Sequence, residues 1–365
     1  MKIDISMTPI VITSEINNIE AQNQNTQPPN TQPNESPSRS QQVTGSNESN
    51  ANTFQAPKIE LPKGGGAIQG IGEKFQANPV TGTGSMSVPI AMSPGRGGFT
   101  PQLSLSYDSG AGNSPYGLGW NIGLPSITRK TSSGLPQYDG LPKYHDAHES
   151  DVFILSGAED LVPLLNDDGT PYVRTDDDYV IHRFIPRIEG LFARIEKWTH
   201  NTNNTSFWKS VSKENITTFY GLSDNAKVSD PEDSTKVYQW KIEKSYDEKG
   251  NIILYEYKKE NGDGLENKPI FEKNRDANNA YNQTYLKKVW YGNTIPFLPL
   301  KSAFNQAIWE TDNKWLFELI LDYGEHNDGT DQPSYSEVNE WSLRLDPFSF
   351  FRSGFEIRTY RLCHR

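Results

Sequence analysis

The sequence contains a single cysteine, Cys363, among its 365 residues. One thiol excludes an internal disulfide, so the fold must depend on side-chain burial and backbone hydrogen bonding. No apolar run approaches the roughly 18 residues that a membrane-spanning helix needs, which predicts no direct insertion into a membrane. The N-terminus also lacks a positively charged segment followed by an apolar core, so no secretory signal peptide is recognisable.

Clusters of basic residues are absent as well. Lys and Arg number 35 against 46 Asp and Glu, which gives a formal net charge of −11. Because nucleic-acid binding requires clustered cationic side chains, this composition predicts no nucleic-acid partner. An acidic chain suits solubility or a basic partner instead.

Large apolar side chains are almost missing between Glu15 and Ala56, where Asn, Gln, Ser, Thr and Pro dominate. Such a segment cannot bury enough surface to offset the entropy lost on ordering the chain. We therefore predict a disordered tail over residues 1–57 and a folded domain over residues 58–365.

The predicted folded part also lacks helical periodicity. Apolar residues rarely recur at helical spacing, whereas Tyr, Trp, Phe, Val, Ile, Thr and Gly are plentiful. This pattern predicts an all-β fold of mostly antiparallel sheets. The predicted strands after Trp120 share alternating or apolar side chains between turn residues: Val152–Leu155, Leu161–Leu164, Tyr179–Ile185, Leu191–Trp198, Ser206–Val211, Ile216–Tyr220, Tyr285–Tyr291, Trp315–Tyr323, Trp341–Leu345 and Phe355–Leu362.

Four segments allow more specific structural predictions. Polar and apolar residues alternate over Tyr238–Glu243, which predicts a strand with one buried face and one face in water. A tight hairpin is predicted between Asp247 and Gly250. Both faces of Leu316–Leu321 are largely apolar, which predicts a central strand covered on both sides. At Phe355–Leu362 we expect an exposed sheet edge if the domain continues into a larger sheet.

Candidate metal ligands are few. His145 and His148 have His-x-x-His spacing, but they lie in a polar connector without a third convergent ligand. The acidic turns Asn166–Gly169, Asp176–Asp178 and Asn261–Gly264 lack the spacing of an EF-hand and are typical of ordinary turns. The sequence therefore predicts no metal site and no cofactor.

Signatures of nucleophilic catalysis are also missing. No Gly-x-Ser-x-Gly motif occurs, and Cys363 and His364 are neighbours on a predicted strand, which directs their side chains to opposite faces. No residue is predicted to be catalytic. Tryptophans can form a sugar-binding platform, but packing in the core is more typical of strand tryptophans. The residues concerned are Trp198, Trp208, Trp240, Trp290, Trp309, Trp315 and Trp341.

Glycines are abundant from Leu61 to Lys130. A phosphate-binding loop needs a strand before it, a helix after it and commonly a Gly-Lys-Ser/Thr sequence. The flanks here alternate at strand spacing and no such sequence follows, so these glycines are predicted to form turns and bulges.

The order of these motifs strongly resembles the N-terminal domain of the SpvB family, which opens the B component of bacterial Tc (ABC) insecticidal toxins. The resemblance covers about Leu61 to Arg365. Its segments are Leu61–Ile68, Gly82–Ser85, Gly97–Pro101, Ser109–Trp120, Gly134–Tyr138, Asp151–Phe153, Tyr246–Asp247, Tyr291–Asn293, Asp322–Glu325, Asp346–Phe348 and Gly354–Cys363.

The resemblance implies an all-β domain that joins Rhs repeats in a hollow β shell around an unfolded toxic polypeptide. The implied partners are the Rhs-repeat shell, the C component as cargo and the pore-forming A component. It also implies synthesis in the cytoplasm and release to the extracellular space as part of a toxin complex. Because the sequence holds no repeat array, we expect that it is part of a longer protein or works with other chains.

SpvB itself also carries a C-terminal actin-modifying ADP-ribosyltransferase domain, whose pattern requires Glu-x-Glu. No Glu-x-Glu occurs in this sequence. We therefore expect a noncatalytic structural domain. One alternative is a stand-alone surface adhesin or glycan-binding module, which predicts exposed coplanar tryptophans. A second is a glycosidase, which predicts two carboxylates facing each other across a cleft.

Overall fold

A computed structural model describes residues 74–78, 82–138, 151–156, 159–265, 270–273, 275, 281–298, 315–326 and 336–365. The predicted tail over residues 1–57 lies outside these residues, as do His145 and His148. Strands dominate the described part, so the predicted all-β fold is confirmed. Within it, no helix is long and apolar enough to cross a membrane.

The described strands, in chain order, are β1 (Lys74–Asn78), β2 (Thr83–Pro89), β3 (Ser104–Asp108), β4 (Asn113–Ser114), β5 (Gly117–Leu118), β6 (Trp120–Ile122), β7 (Ser126–Arg129), β8 (Phe153–Leu155), β9 (Glu159–Pro163), β10 (Val173–Asp176), β11 (Tyr179–Pro186), β12 (Arg194–His200), β13 (Ser206–Val211), β14 (Thr217–Tyr220), β15 (Lys227–Ser229), β16 (Val237–Tyr246), β17 (Ile252–Lys259), β18 (Thr284–Asn293), β19 (Trp315–Ile320), β20 (Phe348–Phe350) and β21 (Ile357–Thr359). Short 3-10 turns cover Arg96–Gly98, Asp224–Ala226 and Ile270–Glu272.

Eight of these strands close into an antiparallel barrel in the order β7, β8, β9, β11, β12, β13, β14, β16. The long strand β16 completes the ring because its two edges pair with different strands. Residues 239–241 pair with β7, and residues 242–246 pair with β14. Such closure removes the unpaired edges that an open sheet would leave.

A branch leaves the barrel at the same strand. The last residues of β16 also pair with β17, which continues through β18 to β19. The hairpin between β16 and β17 is the predicted one: the Asp247 carboxylate accepts hydrogen bonds from the backbone N–H groups of Lys249 and Asn251, each at 2.9 Å. A separate four-stranded sheet has the order β1, β2, β3, β6, and β20 pairs with β21.

The barrel interior is filled with aromatic side chains. Trp208 and Trp240 are fully buried, and their ring centroids lie 6.0 Å apart at a steep angle. Phe153 packs edge-on against both indoles at 4.9 and 5.8 Å. On the outer face of the same strands, Trp198 and Phe207 form a smaller cluster with Ile181 and Phe219. Strand alternation therefore builds one core inside the barrel and another outside it.

The expectation for Tyr238–Glu243 is only half right. Trp240 and Ile242 are buried as predicted, but Glu243 is also buried and Lys241 is at most half-exposed. The polar face is not in water because the barrel lies on one side of β16 while other chain segments cover the other. Alternation in the sequence shows that the two faces of a strand differ in polarity, but it does not show that the polar face contacts water.

Two predictions about sheet edges are wrong. The strand over Leu316–Leu321 is not central: β19 ends the series of paired strands in the described residues, and Leu316 is half exposed. The segment Phe355–Leu362 forms no exposed edge, because β21 pairs with β20 and Ile357–Arg361 are all buried. The predicted strand over Trp341–Leu345 is irregular backbone.

Within the described residues 82–130, glycines of the glycine-rich segment lie in turns, as predicted. Gly119 joins β5 to β6 with φ +79°, a conformation that favours glycine. A Cβ atom at this position would lie 2.6 Å from a ring carbon of Tyr107 and 2.9 Å from the backbone oxygen of Asp108. The ring centroids of Tyr107 and Trp120 lie 5.1 Å apart. This packing holds the turn against the sheet that contains β3 and β6.

We predict that Gly119→Ala lowers the free energy of unfolding by about 1 to 3 kcal/mol, since it adds backbone strain and a steric clash. The matched control is Gly123→Ala, because Gly123 is not in the left-handed region and has open space at its Cβ position. Urea denaturation of both variants measures the difference. Equal stability of the two variants would contradict this account of the turn.

Candidate functional site

One end of the barrel holds a cavity of about 340 Å³. At this end β7 and β12 finish, while β8, β11, β13 and β16 begin, as the antiparallel order requires. Mostly polar side chains line the cavity: Arg129, Tyr138, Val180, His182, Lys197, Thr199, Asn204, Ser206 and Thr235. We call this cavity the barrel mouth.

An ion pair occupies one wall of the barrel mouth. The Arg129 guanidinium donates to Asp151 Oδ2 at 2.5 Å and, through Nε, to the Val237 carbonyl oxygen at 2.7 Å. Asp151 also accepts the backbone N–H groups of Gln137 and Tyr138, each at 2.9 Å. The Arg129 charge is therefore balanced by a carboxylate whose own oxygens are well satisfied.

Lys197 supplies a second cation without such a partner. Its side chain is 8% exposed, and no hydrogen bond or ion pair reaches Nζ from the described residues. Nζ instead lies 5.0 Å from the ring centroid of Phe153 and 5.9 Å from that of Trp240. Burial, with a smaller effect from Arg129, lowers the pKa of Lys197 to about 7.

His182 lines the same cavity from the neighbouring strand β11. Burial, together with the nearby Lys197 charge, lowers its pKa to about 4, so the imidazole is neutral near pH 7. Its Nδ1 atom is buried without a hydrogen-bond partner in the described part of the chain. Lys197 Nζ and His182 Nδ1 at the barrel mouth thus lack hydrogen-bond partners among the residues that the structure describes.

A second cavity, of about 420 Å³, lies where β16 meets β17 and β18. Lys241 lines it, and its Nζ donates to the Thr284 carbonyl oxygen at 2.5 Å. Burial lowers the pKa of Lys241 to about 7. The Tyr257 hydroxyl and the Thr284 Oγ1 are buried without partners among the described residues. Unlike Lys197, Lys241 already has a protein acceptor.

Three potential metal ligands, Asp322, Glu325 and His326, come together after β19. The ammonium group of Lys287 lies among them, 2.9 Å from Glu325 Oε1 and 3.0 Å from His326 Nε2. Its third contact is the Leu321 carbonyl oxygen at 3.1 Å, which accounts for all three ammonium protons. Because Lys287 serves as the cation for this cluster, the arrangement does not fit a resident metal ion.

The most deeply buried charges form another ion pair. Arg361 and Glu260 have fully buried side chains, joined by a contact of 2.6 Å from the guanidinium to Oε1. Two further Arg361 N–H groups donate to the carbonyl oxygens of Trp341 and Asp263, both at 2.8 Å. Tyr285 donates its hydroxyl to Glu260 at 3.2 Å. All three guanidinium nitrogens of Arg361 and both carboxylate oxygens of Glu260 are thus engaged, as expected of a structural ion pair.

Side chains of the three acidic turns named in the sequence analysis make contacts with nearby residues. Asp168 accepts the backbone N–H of Thr170 at 2.9 Å, Arg174 pairs with Asp176 at 3.2 Å, and Asn261 donates to Asp263 at 2.5 Å. Burial raises the pKa of the Cys363 thiol to about 12, which leaves it protonated at neutral pH. These groups act within turns and packing, although the prediction that no residue is catalytic stays a prediction.

The tryptophans that the structure describes do not form an exposed platform. In the described residues, Trp198, Trp208, Trp240 and Trp341 are buried. Trp120, Trp290 and Trp315 are half-buried, and Trp309 lies outside the described residues. The exposed coplanar tryptophans that a glycan-binding module predicts are therefore not found in this part of the chain.

Comparison with known proteins identifies relatives of this fold. The family model for SpvB, the Salmonella virulence plasmid 65kDa B protein, matches residues 78–365. The mono(ADP-ribosyl)transferase SpvB of Salmonella typhimurium is 35% identical over 318 residues, which cover 84% of this chain and 49% of that protein. The chain thus spans about half the length of the curated relatives that it matches.

Solved structures of related proteins also match this fold. The crystal structure of TcdB2-TccC3 matches with a TM-score of 0.68 and 35% identity, covering 85% of this chain and 14% of that one. The N-terminal domain of the effector protein SpvB from Salmonella typhimurium strain LT2 matches with a TM-score of 0.65 and 36% identity. That match covers 76% of this chain and 84% of the SpvB domain.

We predict that Arg361→Met lowers the free energy of unfolding by about 3 to 5 kcal/mol, because it leaves Glu260 buried without its counter-ion. Arg187→Met is the matched control, since Arg187 is 61% exposed and pairs with Asp160 at 3.5 Å. The control should lose less than about 1 kcal/mol in the same chemical denaturation experiment. Similar losses in both variants would show that burial does not set the strength of these pairs.

The lowered pKa of Lys197 predicts that the stability of the protein depends on pH. The pKa is about 7 in the folded chain and 10.5 without burial, so the unfolded state binds the extra proton between these values. The free energy of unfolding of the wild type therefore rises with pH through this window. Lys197→Met removes that contribution, so its stability relative to the wild type should be greatest near pH 6 and decline towards pH 9.

Urea denaturation at a series of pH values measures this difference. The control Lys213→Met, at an exposed position, should follow the wild type at every pH. A constant stability difference between Lys197→Met and the wild type from pH 6 to pH 9 would contradict the lowered pKa.

Proposed function

The chain belongs to the SpvB family, and from that premise we propose that it is a noncatalytic structural domain of a secreted bacterial toxin complex. In this role it helps to build the wall of a hollow β shell that holds a toxic polypeptide before delivery to host cells. Within this proposal the domain covers residues 58–365 and follows an Asn-, Gln-, Ser- and Pro-rich tail over residues 1–57. The observation that carries this proposal is the match to TcdB2-TccC3 over 85% of the chain.

The match to SpvB supports the noncatalytic part of the proposal. Although the Salmonella relatives are named as mono(ADP-ribosyl)transferases, the chain aligns with only 49% of such a relative and with 84% of the separate N-terminal SpvB domain. Together with the missing Glu-x-Glu pattern, this alignment supports a transferase activity that belongs to another part of those proteins.

The buried carboxylates of the described residues also support a structural role. A glycosidase needs two carboxyl groups that face each other across a cleft. One acts as the general acid and the other as the base or the nucleophile. Here the buried acidic side chains each accept hydrogen bonds within the protein. They are Glu196, Glu243, Glu260, Glu272, Asp322 and Glu325.

The proposed partners follow from the structural relatives. TcdB2-TccC3 and the Photorhabdus luminescens Tc holotoxin pore both contain a chain that this domain matches with a TM-score of 0.68. We infer a shell of Rhs repeats, a cargo-bearing C component and a pore-forming A component as its neighbours. The complex is made in the cytoplasm and released from the cell.

We predict that the native gene product, purified without denaturation together with its bound polypeptides, contains a hollow β shell with this domain in its wall. Single-particle electron microscopy tests this directly. ADP-ribosyl transfer from NAD, assayed on the 365-residue chain with full-length Salmonella SpvB as the positive control, should be absent. A free particle without a shell, or transferase activity of the chain alone, would contradict the proposal.

A further inference from the structure

The barrel mouth contains a cation that the described protein residues leave without a counter-ion. Lys197 is 8% exposed, and its Nζ contacts aromatic rings rather than a carboxylate. Asp151, whose charge acts on Lys197, pairs with Arg129 at 2.5 Å and accepts two backbone N–H groups. Among the described residues, Lys197 therefore has no carboxylate of its own at this end of the barrel.

A leftover buried cation is costly. Transfer of an ammonium group out of water is unfavourable unless the group is paired. Several buried cations of the described residues have partners: Arg361 pairs with Glu260, Lys287 with Glu325, and Lys241 donates to a backbone oxygen. Lys244 and Lys197 instead lie over aromatic rings. Lys197 also lines the barrel mouth, which indicates a position for an anion supplied from outside the described chain.

His182 provides an independent second observation. Its buried Nδ1 atom has no partner among the described residues and belongs to a side chain that lines the same cavity. A neutral imidazole can donate or accept one hydrogen bond at each nitrogen. The barrel mouth thus offers an ammonium group and an imidazole nitrogen to a single bound molecule.

The size and lining of the cavity restrict the class of ligand. About 340 Å³ is far more than one inorganic ion needs and is within the range of small-molecule sites. The ring of Tyr138 and the side chain of Val180 belong to the lining and can contact an apolar or aromatic body. Since Arg129 is already neutralised, a single negative charge matches the site better than a phosphate dianion. An eight-stranded barrel can hold one small ligand in this way.

We propose that the barrel mouth binds a small organic monoanion, whose carboxylate pairs with Lys197 and hydrogen-bonds to His182 while its apolar body lies against Tyr138 and Val180. This inference goes beyond the structural role in a toxin shell and does not depend on it. The site is a binding site, and no covalent step is part of the proposal.

The test uses the complete 365-residue chain with benzoate and indole-3-acetate as probes. Binding is followed by tryptophan fluorescence and by the shift in melting temperature. Benzamide, which has the same ring without the charge, and inorganic phosphate are the matched ligands. We expect saturable binding of at least one carboxylate probe and no comparable binding of benzamide or phosphate.

Two variants locate the site. Lys197→Met keeps the bulk of the side chain and removes its charge, so carboxylate affinity should fall at least about tenfold. Lys209→Met changes a lysine of the adjacent strand that lies over Trp198 on the outer face, and its affinity should match that of the wild type. Circular dichroism of both variants verifies that each one is folded.

The pH dependence gives a further readout. The charged and titratable groups around Lys197 are Arg129 and Asp151 beside the mouth, His182 on β11 and Tyr138 after β7. Because the bound form requires the ammonium state, affinity should rise as pH falls from 8.5 to 6.5. This slope should be absent in Lys197→Met.

Three results would overturn the proposal. The first is that neither carboxylate binds the wild type, and the second is that benzamide binds as tightly as benzoate. The third is that Lys197→Met keeps wild-type affinity for the carboxylate. None of these results bears on shell assembly, so the two proposals fail separately.

Discussion

The pairing of β16 on both of its edges is the constraint on which the rest of the structure depends. Along one edge the strand pairs with β15 and then β14, and along the other it pairs with β7 and then β17. These ladders close the barrel and also start the branch through β18 and β19. Loss of this strand would therefore open the barrel and detach the branch together.

Burial of β16 on both faces has an electrostatic consequence. Lys241 and Lys244 lie within it, and burial lowers the pKa of the first to about 7 and of the second to about 8. Charged side chains of neighbouring elements are buried as well, and most are paired, as Arg361 is with Glu260. The domain thus combines an aromatic core with a set of buried ion pairs. Lys197 lies over aromatic rings and also lines the barrel mouth, which points to a ligand.

Much of the fold could be predicted from the sequence, since strand alternation and turn residues are local signals. The all-β class, the strand over Ser206–Val211 and the hairpin at Asp247 follow from them. Which strands lie at an edge depends on distant pairings, and for that reason β19 and β21 were placed wrongly. The barrel mouth could not be predicted because Lys197 looks like any solvated lysine of an alternating strand. Its one local signal is that it shares a face with the buried Ile195.

Hydrogen exchange of backbone amides tests most directly whether β16 holds the domain together. If it does, amides of Ile242 to Ser245 should exchange only through global unfolding, with the same opening free energy as the most stable amides of the barrel. Amides of β19, at the end of the branch, should exchange through smaller local openings. If the β16 amides exchange as fast as those of β19 while the barrel amides remain protected, the barrel does not depend on this strand and the account is wrong.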